Sequence, residues 1–285
     1  MCVVTGLFAH YIKSCRATSL EEAEVDEFGI CHDRRLMIID RASGRFVTQR
    51  DHPELAQVIC NLTPRALVVT VEGGEHGRLS ITRSTWESGE RVPGTIWGDT
   101  SMTVDQGREA RDFFSDLLRQ NVLLVGTPPD HARVPSRRPK DVTTGTRFPD
   151  GCPFTLTSEA SLAALNAELP AGEGPYPMAN FRSNIVVTGM GGPWGEDGCS
   201  EFYINDGHFH HVKRRTRCPI ITTDQRTGER RSQEPLATLE RIHGVSKGGG
   251  KLVALFGASL IHAGPCTLRV GDKVRNIVRG PLPEA

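Results

Sequence analysis

Cys218 follows a basic run, Arg214-Arg215-Thr216-Arg217. A thiol in a positive field is biased toward the thiolate, the form that ligates soft metals or attacks electrophiles. On these residues alone a metal ligand, a nucleophile and a buried structural thiol all remain open. The segment after it, Pro219-Ile220-Ile221-Thr222-Thr223, is apolar and β-branched and predicts a buried strand. Lys13-Ser14-Cys15-Arg16 sets two cations and a hydroxyl close together, which suits an anion such as a phosphate; a solvated loop explains the same residues. Arg34 stands at the entrance to the apolar run Leu36 to Asp40, and Arg182 at the mouth of another strand. Asp150-Gly151-Cys152-Pro153 puts a carboxylate and a thiol in one tight turn, as site lining or as ordinary turn chemistry. His208, His210 and His211 look like metal ligands, but strand alternation sends His210 and His211 to opposite faces. The two that share a face fall short of a site, so the cluster reads as surface or packing.

The elements that must position these residues are mostly strands. Val3 to Phe8, Leu36 to Asp40, Ala66 to Val71 with Arg78 to Thr82 across the Gly73-Gly74 turn, and Asn121 to Val125 read as strands. Asp40 to Arg45 is a hairpin turn before Phe46-Val47-Thr48, and Trp86 to Trp97 is irregular or short-stranded. The first third therefore suggests a barrel or sandwich-like β domain. A helix is predicted from about Gln106 to Gln120, capped by Asp105, with Ala110, Phe113, Phe114, Leu117 and Leu118 on one stripe. Thr127 to Arg147 reads as a long connection, and its basic part, Arg133 to Lys140, as a solvated or mobile face. A second helix starts near Thr157 or Ser158, burying Leu162, Leu165 and Leu169; a third starts at Glu234 to Leu239, with Pro235 in its first turn. Ile185 to Val187, Glu201 to Ile204 and Lys251 to Phe256 are further strands, and Thr267 to Val274 a short strand pair about Gly271-Asp272.

The 285 residues suffice for one large or two ordinary domains. Equal acidic and basic counts, 34 each, argue against bulk nucleic-acid binding, and no apolar run is long enough to span a bilayer. The N-terminus lacks the pattern of a signal peptide, so a cytoplasmic protein is expected. None of the eight cysteines forms a C-x-x-C pair, and free thiols are expected in a reducing compartment. P-loop, dinucleotide-binding and nucleophile-elbow signatures are missing.

In order along nearly the whole chain, Lys13-Ser14-Cys15, Asp33-Arg34, Asp150 through Leu162, Phe181 to Val186, Arg217-Cys218 with Thr222-Thr223-Asp224, Glu234 to Leu239 and Gly271-Asp272 resemble the motifs of one family. It is the family that pairs an N-terminal MOSC β-barrel domain with a MOSC domain, as in the mitochondrial amidoxime-reducing component and its bacterial relatives. The resemblance implies a β-rich mixed α/β fold. A β-barrel-like first domain over 1–125 would precede a MOSC barrel with peripheral helices over 126–285, with Lys13, Ser14 and Arg34 reaching into the second domain's site.

It further implies that Cys218 is the protein thiolate ligand of molybdenum held by a pterin dithiolene (the molybdenum cofactor), a soft-ligand role. Lys13, Ser14, Arg34, Gly151, Arg182, Thr216, Arg217 and Ser259 would line or hold the cofactor, and Asp150 would orient a water or relay protons beside the metal. The implied reaction is two-electron reduction of a small N-hydroxylated substrate. Electrons would come from a separate carrier, ferredoxin-like or cytochrome b5-like, with its reductase, since neither a membrane anchor nor a fused ferredoxin domain is expected. Several departures limit the resemblance, which implies a retained cofactor pocket and an altered substrate side. His10-Tyr11 replaces Tyr-Pro, Gly151-Cys152 replaces a hydroxyl-bearing pair, Ser183 replaces a proline, and Ser259 falls where the mitochondrial proteins have a tyrosine. A persulfide-carrying sulfur-transfer role for Cys218, and a non-catalytic cofactor carrier, are the alternatives. Pyridoxal phosphate is disfavoured, because a phosphate contact explains Lys13 better.

Overall fold

The computed structural model describes residues 1–131, 133–135, 142, 145–246 and 252–281. Its centre is a closed barrel of seven strands. Around the barrel run Phe154–Ser158, Ile185–Thr188, Cys2–Ala9, Lys273–Arg279, Cys199–Ile204, Gly207–Thr216 and Leu252–Ala263, which pairs back onto Phe154–Ser158. Closure leaves no unpaired edge in the ring. Every pairing in the ring is antiparallel except Phe154–Ser158 with Ile185–Thr188, where the helix Glu159–Ala167 lies in the crossover that a parallel pair requires.

Alternation along Cys2–Ala9, shifted by one residue at a register irregularity between Val4 and Gly6, buries Cys2, Val4, Leu7 and Ala9, which join Phe154, Leu156, Phe202, Ile204 and Phe209 in one apolar core. Among the described residues Leu252–Ala263 is the longest strand, and its Gly257 holds a φ of +80° where any Cβ would strike the Leu156 carbonyl. Between the first barrel strand and the rest, the chain builds two smaller sheets. One holds Leu36–Asp40, Val122–Gly126, Asp99–Asp105 and Arg91–Ile96; the other holds Val58–Leu62, Ala66–Val71 and Arg78–Thr82. The β-rich expectation thus holds. Among the described residues, no helix is long and apolar enough to cross a membrane.

Four local expectations are revised. Pro219–Thr222 is a 3-10 turn where a strand was predicted. Pro219 has no N–H for a ladder, the Ile221 N–H bonds the Cys218 carbonyl, and the Thr222 hydroxyl bonds the Pro219 carbonyl. The helix Arg108–Leu118 begins after Gly107, not at an Asp105 cap; the Asp105 carboxylate instead accepts the Gly107 N–H at 2.9 Å. Ser158 does cap its helix, accepting the Ala160 N–H, but only after the strand Phe154–Ser158, which was not foreseen. Cys266–Arg269 and Lys273–Arg279 flank the Gly271-Asp272 turn without pairing with each other. The first pairs with Glu22–Asp26, and the second joins the barrel beside Cys2–Ala9 and Cys199–Ile204. Within the basic connection, Arg133 is held by the Asp99 carboxylate and the Pro149 carbonyl, while residues 136–140 lie outside the described ones.

Candidate functional site

A cleft opens where the ends of several barrel strands meet the turns from the first third of the chain. Lys13, Ser14, Arg34, Asp150, Arg182, Thr216, Arg217 and Cys218 all line it. These eight span more than 200 residues of sequence, and hydrogen bonds explain how they converge.

Two turns are braided together. The His10 N–H donates to Asp33 Oδ1 at 2.7 Å, and the Arg34 N–H donates to the His10 carbonyl at 2.8 Å. One turn further, the Lys13 N–H donates to the Leu36 carbonyl, so Lys13 and Arg34 are delivered to one wall. Ser14 and Arg34 hold positive φ angles of 72° and 47°, and Arg182 one of 51°, which turns these side chains out of regular structure. Asn184 fastens the braid to the barrel: its side chain accepts from Arg34 and from the Thr155 N–H, each at 3.2 Å, and donates to the Phe8 carbonyl.

Six cations among the lining residues (Lys13, Arg34, Arg50, Arg182, Arg215 and Arg217) face one carboxylate, Asp150. Lys13 Nζ donates to Asp150 Oδ1 at 2.5 Å and to the Phe148 carbonyl at 2.8 Å, and Arg215 lies 3.4 Å from the other carboxylate oxygen. Burial, then repulsion from Arg34 and Arg215, brings Lys13 down to about 8 despite the attraction of Asp150. Burial pulls Asp150 upward, but Lys13 and Arg215 outweigh it and hold its carboxyl well below the usual carboxylate range. Asp150 is therefore an anion, 41% exposed at the cleft mouth, where Trp97 Nε1 also reaches it at 3.3 Å.

Among the described residues Arg182 has few side-chain partners. Its guanidinium donates once, to Gln225 Oε1 at 3.4 Å, and burial followed by the neighbouring Arg34 lowers it to about 10. Arg217 behaves differently. Its guanidinium donates to the carbonyls of Phe256 and Phe181 at 2.5–2.8 Å, over the stacked rings of those residues. This clamps the backbone that presents Cys218.

Among the described residues, Gly151 and Ser259 are not in the lining. Gly151 sits in the turn beside Asp150. Ser259 is fully buried directly opposite Thr155, which does line the cleft, and its hydroxyl has no partner. Cys152 brings a second, buried thiol to the lining, raised by that burial. Residues not singled out from sequence also line the cleft: Thr48, Arg50, Arg215 and Asn180. The Asn180 amide donates to the carbonyls of Ile221 and Thr223, which fixes its orientation and leaves buried Oδ1 without a donor. Arg215 was visible as part of the basic run; Arg50 and Asn180 carried no local signal.

The closed barrel carries a cationic cleft with a partly exposed thiol, a charge pattern suited to an anion. Comparison with known proteins makes the class specific. Residues 1–121 match the MOSC N-terminal beta barrel domain and residues 143–275 the MOSC domain. Mouse mitochondrial amidoxime-reducing component 1 is 32% identical over 283 residues, covering 95% of this chain and 81% of that protein. The human protein of the same name is 31% identical, covering 95% and 82%. The zebrafish molybdenum cofactor sulfurase is 26% identical over 92% of this chain, but over only 32% of its own length. The chain belongs to the MOSC family.

Proposed function

We propose that this protein is a reductase of small N-hydroxylated compounds that works with the molybdenum cofactor. The observation that carries the reading is Cys218 in the lining of a cleft whose six cations, among the described residues, outnumber its single carboxylate, in a chain similar along its length to amidoxime-reducing components.

The donor set fits such a group. A phosphate needs several charge-assisted donors, and Arg182, with one long hydrogen bond, has most of its N–H groups free to give. Asn180 Oδ1 is an orphaned acceptor suited to a ring N–H. A thiolate suits a soft metal. In this reading Lys13, Ser14, Arg34, Arg182 and Thr216 would hold the phosphate and pterin, Cys218 would be the metal's protein ligand, and the cofactor, when bound, would supply the two-electron chemistry. Arg217 positions Cys218 through the Phe181 and Phe256 carbonyls. Asp150, kept anionic by Lys13 and Arg215, orients the substrate or a water by accepting a hydrogen bond, and Lys13 is the nearest proton store. The net change is N–OH plus two electrons and two protons to N–H and water. The electrons enter from a separate carrier, ferredoxin-like or cytochrome b5-like.

The relative named a molybdenum cofactor sulfurase favours one second reading, a persulfide carried on Cys218. One experiment separates them. Protein from a host that makes the cofactor is analysed for molybdenum and released pterin, and assayed for benzamidoxime reduction with an artificial low-potential donor. The reductase reading expects near-stoichiometric molybdenum, turnover, and loss of both in Cys218→Ser with the fold intact. A metal-free protein bearing a labile sulfane sulfur would overturn it in favour of sulfur transfer.

A further inference from the structure

On the face of the barrel strands Cys199–Ile204 and Gly207–Thr216, three side chains converge that the cleft does not use. Register pairs Glu201 with His210 and Tyr203 with His208. Because alternate residues of a strand share a face, Glu201, Tyr203, His208 and His210 all project to the same side. Glu201 Oε2 lies 3.0 Å from His208 Nε2 and 3.5 Å from His210 Nδ1. The three donor atoms all fall within 4.8 Å of one another. The imidazoles stand with centroids 4.0 Å apart, and the Tyr203 ring stacks flat on His208 at 4.2 Å, holding that ring in place. The side chains are 36%, 23% and 16% exposed for Glu201, His208 and His210, open enough for an ion to enter and enclosed enough to limit competing water.

The geometry points to a second metal site on this protein, a divalent-cation site with two imidazoles and one carboxylate, separate from the cleft. Each of its donors is an atom that ligates borderline metals, and the set has the composition of a three-ligand zinc site that keeps a position for water. Hard ions such as Mg²⁺ or Ca²⁺ prefer oxygen-rich shells, so two nitrogens of three donors select Zn²⁺ or a similar transition metal. The site rests on a hairpin whose two-residue turn, Asn205-Asp206, keeps Glu201 opposite His210 and Tyr203 opposite His208. His210 precedes Cys218 by eight residues on the strand that runs to the cleft, roughly 25 Å at ~3.3 Å per residue. A bound ion here would staple Cys199–Ile204 to the strand that delivers Cys218 without touching the cleft.

The test is zinc titration of the full chain at about pH 8, where imidazole is free to ligate, followed by calorimetry and by thermal unfolding with and without Zn²⁺. Co²⁺ is used as a spectroscopic stand-in. Expected are one equivalent bound in wild type and in Cys218→Ser and a raised Tm in zinc. The Co²⁺ spectrum should lack a thiolate charge-transfer band. His210→Gln and Glu201→Gln, both at partly exposed positions, should fold as wild type, lose at least about tenfold in affinity and lose the Tm shift. Unchanged zinc affinity in these variants, binding lost in Cys218→Ser, a thiolate band, or no stoichiometric binding in wild type would each overturn the site.

Discussion

Lys13 and Asp150, 137 residues apart in the chain, meet in a 2.5 Å ion pair at the cleft. The pair joins the first turn of the protein to the turn that enters its barrel. The two partners respond unequally. Lys13, buried beside two arginines, is brought down to about 8, while Asp150 is driven below its usual range. The cleft therefore carries a permanent anion and a cation that titrates close to neutrality.

The first prediction concerns pH. Lys13 is easier to deprotonate in the folded chain than in the unfolded one, where a lysine titrates near 10.4. Between about pH 8 and 10.4 the unfolded state binds more protons there, so this residue's contribution to stability rises with pH across that window. Asp150 has the same sign in the acid range: its stabilising contribution is present above the unfolded carboxylate value and is lost as pH falls through the folded one. Inorganic phosphate binding, which needs the ammonium charge, should weaken as pH passes 8. Buried Cys15 and Cys60, both raised, pull stability down above their ordinary thiol range. The readout is therefore the difference between wild type and Lys13→Met, by phosphate titration and urea unfolding across pH. A flat difference curve would refute the assignment.

Arg182 sets binding against stability. Its guanidinium is partly buried and, among the described residues, makes a single 3.4 Å hydrogen bond beside another arginine. Arg182→Met should raise the stability of the ligand-free protein, by about 1–3 kcal/mol, because a poorly compensated charge leaves the interior. The same substitution should weaken phosphate or cofactor binding at least about tenfold. Parallel urea unfolding and phosphate titration check both halves, and a destabilised variant would contradict the first.

Asn184 should behave as a structural residue. Its amide satisfies Arg34, the Thr155 N–H and the Phe8 carbonyl at once. Asn184→Ala leaves all three without that partner and should cost about 2–4 kcal/mol, seen as a lowered urea midpoint at an unchanged m-value. A loss under about 0.5 kcal/mol would show that the braid is held elsewhere.

Arg217 should act through Cys218 and not through charge. Arg217→Lys keeps a cation but cannot donate to the Phe181 and Phe256 carbonyls together as the planar fork does. Bound molybdenum should fall in Arg217→Lys as it does in Arg217→Met. Full metal content in the lysine variant would mean that charge alone suffices.

The sequence by itself marked several strands, because a short apolar, β-branched run is a local property: Cys2–Ala9, Leu36–Asp40 and Ile185–Thr188 are read from neighbouring residues alone. It also named Lys13, Ser14, Arg34, Asp150, Arg182, Arg217 and Cys218, since each belongs to an ordered set of short motifs, with Thr216 beside the last of them. Local pattern misled where a partner far away decided the outcome. Pro219–Thr222 has strand-forming residues, yet Pro219 offers no ladder donor and the segment turns. The strands about Gly271-Asp272 separate because Glu22–Asp26 claims one and the barrel the other. Only the tertiary structure brought Arg50 and Asn180 into the cleft, turned Arg217 onto carbonyls, and set Glu201 beside two histidines on the next strand. Each of these depends on sheet register and barrel closure, which are contacts between distant segments. No window of sequence contains both sides of such a contact.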